Sequence, residues 1–262
     1  MKLNIVPART GIQWVRLGIR TFFKRPLALA SLFFMYAAGA SLLSLVPYLG
    51  WLLALAIVPA ATLGLMAATE DAATGHFPMP TVLLSAFRAG RERMRAMLVL
   101  GLLYAGACMA VTLLANMLAG MPAGGPAELD QQAMLSPQFQ LMMLVTLVLY
   151  LPVSLLFWHA PALVHWHGIS PQKSLFFSIV ACWRNLGAFT LFGLGWGVVI
   201  LTLGMMLAAL ALLTGQPEIT AGAVLPLGLL VASMFSTSLY FTFRDSFVAT
   251  PEDDAQPNGD SP

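Results

Sequence analysis

Three histidines, His159, His165 and His167, stand close together in the second half of the chain. Imidazole binds metals and moves protons near neutral pH, so this cluster is the first place to look for chemistry. On a continuous helix, at about 100° per residue, His159 and His167 sit about 80° apart while His165 points elsewhere. Three convergent ligands need a break in that helix, which Pro161 or Gly168 allows. No cysteine or glutamate lies nearby to complete a ligand set. The simpler reading is an interfacial belt in which the histidines, Trp158 and Trp166 meet lipid headgroups. His76 falls in a loop and is expected to be solvated.

Other nucleophiles lack partners. Ser41, Ser44, Ser154, Ser236 and Ser238 have no His or Asp at usable positions within their apolar segments. There is no Walker-type loop, no G-x-S-x-G, no H-E-x-x-H and no dinucleotide fingerprint. No cofactor is expected. Cys108 lies inside an apolar run and Cys182 just before one, which reads as two buried free thiols.

The remaining chemistry belongs to cations. Arg16, Arg20, Lys24, Arg25, Arg88, Arg91, Arg95, Lys173 and Arg184 all lie next to long apolar runs. Beside such runs, anionic lipid headgroups are a better partner than nucleic acid. These nine residues are the candidate headgroup contacts.

The elements that position them follow from composition. Of 262 residues, 59% are hydrophobic and 9% charged, and the mean hydropathy is +0.82. Soluble domains carry about 25% charged residues, so too few charges are present here to coat a water-exposed surface. A membrane-spanning helix needs about 20 apolar residues. Six stretches satisfy this without an Asp, Glu, Lys or Arg: Leu27–Leu45, Gly50–Thr69, Ala96–Leu118, Phe139–Trp158, Leu186–Leu213 and Ala221–Phe243. Residues 1–248 therefore read as one polytopic all-α membrane domain. Residues 249–262, rich in Pro and Asp, read as a disordered acidic tail. Met1 to Arg9 lacks the pattern of a signal peptide, so the first span is expected to direct insertion.

Charge sets the orientation. Lys2, Arg9, Arg16, Arg20, Lys24 and Arg25 precede the first span, and Arg88, Arg91, Arg93 and Arg95 lie between the second and third. Lys173 and Arg184 lie between the fourth and fifth, and Arg244 follows the sixth, which accounts for all 13 Lys and Arg. By the positive-inside rule, both termini are cytoplasmic in a bacterial inner membrane.

The cytoplasmic segments are amphipathic. Thr10 is placed to cap a helix, with Gln13 at the capping-box position. Gln13, Arg16, Arg20 and Lys24 fall on one face, and Ile12, Val15, Ile19, Phe22 and Phe23 on another, as in a helix lying in the interface. A second segment starts near Pro80 and Thr81 and carries Leu84 and Phe87 beside Arg88, Arg91 and Arg95. A third starts at Ser170 and Pro171, with Leu175, Phe176, Ile179 and Trp183 opposite Ser174, Ser178 and Asn185. Each precedes two spans, so the chain reads as three repeats of a cytoplasmic interfacial helix and a transmembrane hairpin. Pro59-Ala60-Ala61 matches Pro161-Ala162-Leu163, and Ser85 and Arg91 match Ser178 and Arg184. Pro59, Pro152 and Pro226 interrupt spans, which ordinarily means packing kinks, with broken helices lining a transport site as the alternative. Gly193 and Gly197 form a G-x-x-x-G pair whose ordinary meaning is close helix packing within the chain, with dimerisation as the alternative.

The run from Phe157 to Gly168, followed by Ser174-Leu175-Phe176-Phe177-Ser178, resembles an uncharacterised six-span inner-membrane family of proteobacteria. The opening Met1–Arg9 and the closing Tyr240–Asp245 fit the same family. More distantly, Pro161-Ala162-Leu163 followed by Gly and Ser resembles the membrane domain attached to some glycerophosphodiester phosphodiesterases. That domain is not the catalytic part of those enzymes, so the resemblance implies a fold and not that activity.

The spans hold no ionisable acid or base, which weighs against a proton- or ion-coupled transporter. The leading expectation is a non-enzymatic protein acting through lipid or protein contacts in the envelope. A transporter or lipid-handling protein is the competing class, and an intramembrane enzyme using the histidines comes third. Reporter fusions after Tyr48, within Ala123–Glu128 and at Gln216 should read periplasmic, and fusions near His76, Gly168 and Pro257 cytoplasmic. A periplasmic signal at Gly168 would overturn the six-span arrangement.

Overall fold

The computed structural model describes residues 2–120 and 135–248. The expected acidic tail and most of the long loop before the fourth span lie outside the described residues. Helix α1 is Thr10–Lys24, α2 Pro26–Ser44, α3 Gly50–Ala56, α4 Val58–Thr74, α5 Ser85–Arg88 and α6 Arg91–Ala119. Then come α7 Pro137–Phe157, α8 Ala160–His167, α9 Pro171–Arg184, α10 Leu186–Thr214 and α11 Pro217–Ser246, with two short strands, β1 Lys2–Leu3 and β2 Phe247–Val248. Six helical stretches are long and apolar enough to cross a membrane: Pro26–Ser44, Gly50–Thr74, Arg91–Ala119, Pro137–His167, Leu186–Thr214 and Thr220–Ser246. All six sequence-derived spans are found. The fourth runs on through α8, beyond the expected Trp158.

The chain falls into two compact units. One holds Met1–Ala38, Ala61–Ala86 and the chain from Val180 onward; the other holds Gly39–Ala60 and Phe87–Ile179. In the first unit α1 packs on both α10 and α11. Glycine makes this possible. A Cβ on Gly11 would fall on the Ala188 carbonyl of α10, and one on Gly18 would come within 2.5 Å of Ser238 Cβ on α11. A second cluster joins Phe22, Leu29, Leu32, Leu65, Ala68 and Ala72. Ser233 Oγ on α11 donates to the Leu29 carbonyl at 3.3 Å, linking α11 to α2.

In the second unit α6 is the centre, packed against α3, α7 and α8. Gly101 lets α6 approach the Ala56 carbonyl at the end of α3. The hydroxyls of Tyr104 on α6 and Tyr150 on α7 hydrogen-bond to each other, and the Tyr104 ring meets Phe157 edge-on at 5.0 Å. Ser136 caps α7 by accepting from the Phe139 N–H at 3.2 Å, with Pro137 at the first helical position, a pairing the sequence reading did not use.

Four expectations change. The second cytoplasmic segment is a 3-10 turn, Pro80–Leu84, and the single-turn α5 rather than a long interfacial helix. Gly90, at φ 99°, separates it from α6, so Arg91 and Arg95 sit in the first turns of the span itself. Helix α1 already begins around Arg9, and no side chain caps it. The pair Gly193 and Gly197 is not a packing point within the chain, since a Cβ on either would meet nothing within 4 Å; Gly195 is the one placed against Val15 and Ile12. Helices α7 and α11 run on through Pro152 and Pro226, while Pro59 and Pro161 each follow a break at the second position of a new helix.

Gly11→Ala and Gly18→Ala should each lower the melting temperature of the purified protein by several degrees. Overpacking against backbone costs about 1–3 kcal/mol. Gly193→Ala should leave it unchanged or raise it, because the added methyl meets open space. Equal effects at all three positions would remove the close seating of α1.

Candidate functional site

The site is built on α1, which presents three sectors. At about 100° per residue, Ile12, Ile19 and Phe23 fall within about 40° of one another. Gln13, Arg16, Arg20 and Lys24 centre about 90° further round. The remaining arc, Thr10, Gly11, Trp14, Val15, Gly18, Thr21 and Phe22, is buried. Of the apolar face expected to meet lipid, Val15 and Phe22 therefore belong to the protein interior. Ile12 and Phe23 stay exposed, at 42% and 63%. The interior claims the glycine edge because only there can the helix reach neighbouring backbone.

Trp14 fixes the rotation of the helix. Its ring is fully buried against Phe189 and Phe192, with centroids at 5.3 and 6.1 Å. Its Nε1–H donates to Asp245 Oδ2 at 2.9 Å. The other oxygen, Oδ1, accepts from Arg244 Nε at 2.8 Å, and the Arg244 guanidinium lies over the Phe241 ring at 5.0 Å. The amino end is tied to the same place. Lys2 and Leu3 pair antiparallel with Val248 and Phe247. Asn4 donates from Nδ2 to the Asp245 carbonyl and from its backbone to the Ser246 carbonyl, both at 2.9 Å. Asn185, buried between α9 and α10, accepts from the Val6 N–H at 2.8 Å and donates to the Asn4 carbonyl at 3.0 Å. The sequence reading missed this clamp. Its traces were Gly11 and Gly18 one heptad apart and the polar residues Asn4, Asn185 and Asp245 beside helix ends.

Held this way, the outer sector of α1 carries charge with little to neutralise it. All nine candidate headgroup residues, Arg16, Arg20, Lys24, Arg25, Arg88, Arg91, Arg95, Lys173 and Arg184, are exposed. Among the described residues none of them is in an ion pair. Lys24 Nζ donates to the Ala73 carbonyl near the end of α4 at 3.3 Å, where a helix favours a cation. Arg25 lies 6.0 Å over the Phe77 ring. Arg91 and Arg95 stand in the first turns of α6, where the helix dipole disfavours cations, so they do not stabilise that helix. Guanidinium groups free of carboxylates are available for phosphate.

Helix α9 has the reverse of an ordinary surface pattern. Its small polar residues Ser174 and Ser178 are fully buried, while Phe176 and Trp183 are exposed at 61% and 69%. Ser178 has a task inside. Its Oγ donates to the Leu155 carbonyl at 2.7 Å and accepts from the His159 N–H at 2.9 Å, bridging the break between α7 and α8.

That break also corrects the histidine belt. His159 is fully buried, whereas His165 and His167 are half-buried at the end of α8. His165 lies beside the Trp166 ring at 6.1 Å. Among the described residues no three His, Cys, Asp or Glu side chains come together as a ligand set, so the three histidines are not brought to one point. His76 is exposed, with Nδ1 at 3.0 Å from Thr74 Oγ1. Both cysteines are buried, and neither is in a disulfide.

A probable inner membrane protein of Burkholderia thailandensis is 39% identical to the chain over 254 residues, 94% of each protein. No protein-family model matches the chain, and no solved structure does.

Burial pushes the Cys182 thiol, in α9, from 9.0 up to about 12. At pH 8 the folded protein should therefore resist alkylation at Cys182 and react fully once unfolded in dodecyl sulfate. The raised value has no effect on stability below about pH 9. From there toward pH 12 the unfolded thiol ionises first and the fold loses stability. Rapid labelling of the folded protein at pH 8 would contradict the buried placement.

Proposed function

The chain belongs to one family with the probable inner membrane protein of Burkholderia thailandensis, and we propose that it works in the bacterial inner membrane as a non-enzymatic protein acting through lipid contacts, with both termini cytoplasmic. It is a multi-pass membrane protein. The observation that carries the reading is the three-sector helix α1. One side is locked into α10 and α11, one offers Ile12 and Phe23 to hydrocarbon, and one offers Arg16, Arg20 and Lys24 to phosphate. A helix so divided lies along the membrane surface beside its own bundle. The exposed Phe176 and Trp183 of α9, with Lys173 and Arg184 near its ends, support a second contact of the same kind. The three-repeat arrangement remains part of this proposal, with the middle interfacial element shortened to α5. A lipid-handling role is the second reading, favoured by an apolar groove between α10 and α11 lined by Ile200, Leu203 and Gly228.

Anionic lipid should stabilise the protein more than neutral lipid does. Each Lys or Arg near an anionic surface is worth about 1 kcal/mol. Titrating the detergent-purified protein with phosphatidylglycerol should raise its melting temperature well above the effect of phosphatidylcholine. The triple variant R16Q/R20Q/K24Q should lose at least half of that difference. An unchanged difference in the variant would sink the headgroup assignment.

A further inference from the structure

Helices α10 and α11 form a hairpin whose two halves differ. In the half near α1, the rings of Trp14, Phe192, Phe235 and Trp196 meet in sequence, edge-on or tilted, with Phe192–Phe235 at 5.7 Å and Trp196–Phe235 at 5.6 Å. In the half near the Gly215 turn, no residue of α10 from Gly197 to Thr214 is buried. There the facing residues are small. Gly204, Ala208 and Ala211 of α10 look across to Ala221 and Gly228 of α11, and a Cβ on Gly204 or Gly228 would meet nothing within 4 Å. Two adjoining cavities, of about 350 and 440 Å³, share Ile200, Leu203 and Gly228. They form one apolar groove from the Trp196–Phe235 rings toward the turn.

We propose that this groove holds one acyl chain of a zwitterionic phospholipid from the leaflet opposite α1. Three features select that occupant. From Trp196 to Ala211 the groove runs fifteen residues, about 22 Å, which matches one leaflet with its headgroups and not the whole bilayer. It reaches only to the Trp196 and Phe235 rings, ten residues into the 29-residue α10, so it is the length of a lipid tail with its headgroup and shorter than the groove a spanning partner helix would follow. The mouth supplies no cation. No Lys or Arg occurs between Arg184 and Arg244, and the ionisable group near the mouth is Glu218, two residues before Thr220. A fatty-acid carboxylate or an anionic headgroup would be repelled there, while an ammonium headgroup is compatible. An apolar cleft in hydrocarbon does not stay wet, so its occupant is a chain.

The probe is phosphatidylethanolamine with a photoactivatable diazirine along one acyl chain, in vesicles containing the full-length protein. Cross-linked residues are mapped by mass spectrometry. Labelling should concentrate severalfold on the groove-lining Leu203, Leu207, Val224 and Val231 over the outward Met205 and Leu212 side chains, which are 73% and 85% exposed. Equivalent phosphatidylglycerol and fatty-acid probes should label the groove several times less. Gly204→Leu with Gly228→Leu fills the groove and should cut labelling there at least fivefold at unchanged melting temperature. Uniform labelling of α10 on the wild type means surrounding lipid only and overturns the proposal. Equal labelling by the fatty-acid probe overturns the headgroup assignment. Cross-links from the groove to a second copy of the chain, with no lipid adduct, would give the groove to a dimer. None of these outcomes depends on Arg16, Arg20 or Lys24, so the groove and the headgroup reading fail separately.

Discussion

The first unit depends on the absence of two methyl groups. Because Gly11 and Gly18 carry only hydrogen, α1 settles onto α10 and α11 at backbone distance. That approach buries Trp14 and brings its N–H to Asp245, which in turn orients Arg244. The rotation of α1 then decides everything on its outer side. A turn of the helix by one residue would put Arg16 or Gln13 into the bundle, at a cost no available partner offsets. The exposed arginines are therefore a result of how the opposite edge packs, as much as of their own spacing.

Packing in a lipid-facing protein follows different accounting from packing in water. Hydrocarbon accepts a leucine or phenylalanine as readily as the protein interior does, so apolar bulk does not decide which face turns inward. Small size and hydrogen-bonding capacity decide it. Helix α9 turns Ser174 and Ser178 inward and leaves Phe176 and Trp183 outside. The buried face of α11 carries Ser233, Ser236, Thr237 and Ser238, of which Ser236 and Thr237 both return to the Ser233 carbonyl. Ser178 shows why such residues are retained, because the α7–α8 break exposes backbone groups that no water reaches.

The same rule explains what the sequence revealed and what it hid. Span number and the exposure of the nine candidate cations were legible, because length, hydropathy and charge act locally. The division of α1 into faces was only half legible. Periodicity separated Arg16, Arg20 and Lys24 from the apolar residues, but it could not separate Val15, which packs on protein, from Ile12, which does not. Both are β-branched aliphatics on one side of a helix; only the glycines one turn away distinguish their surroundings. His159 was misplaced for a related reason. Beside Trp158 it has the composition of an interfacial belt, and only the break before Pro161 turns it into the interior. Gly193 and Gly197 carried a packing signature with no neighbour to use it, whereas Gly11 and Gly18 had the neighbour without the signature.

The pairing of β1 with β2 and of Trp14 with Asp245 has a consequence for how the molecule is made. Trp14 and its acceptor are 231 residues apart, so at about 5–20 residues per second α1 waits roughly 10–50 s before α10 and α11 exist to receive it. During that interval its aromatic edge has no protein to cover it. In the proposed placement of α1 at the membrane surface, its Ile12, Ile19 and Phe23 strip meets hydrocarbon from the start. Completion of α11 then supplies the partners for the buried edge of α1, while Ile12 and Phe23 stay exposed. Docking of α1 thus waits for synthesis of the final helix, and removing Asp245 and β2 would take away the acceptor of the Trp14 N–H and the strand that pairs with β1.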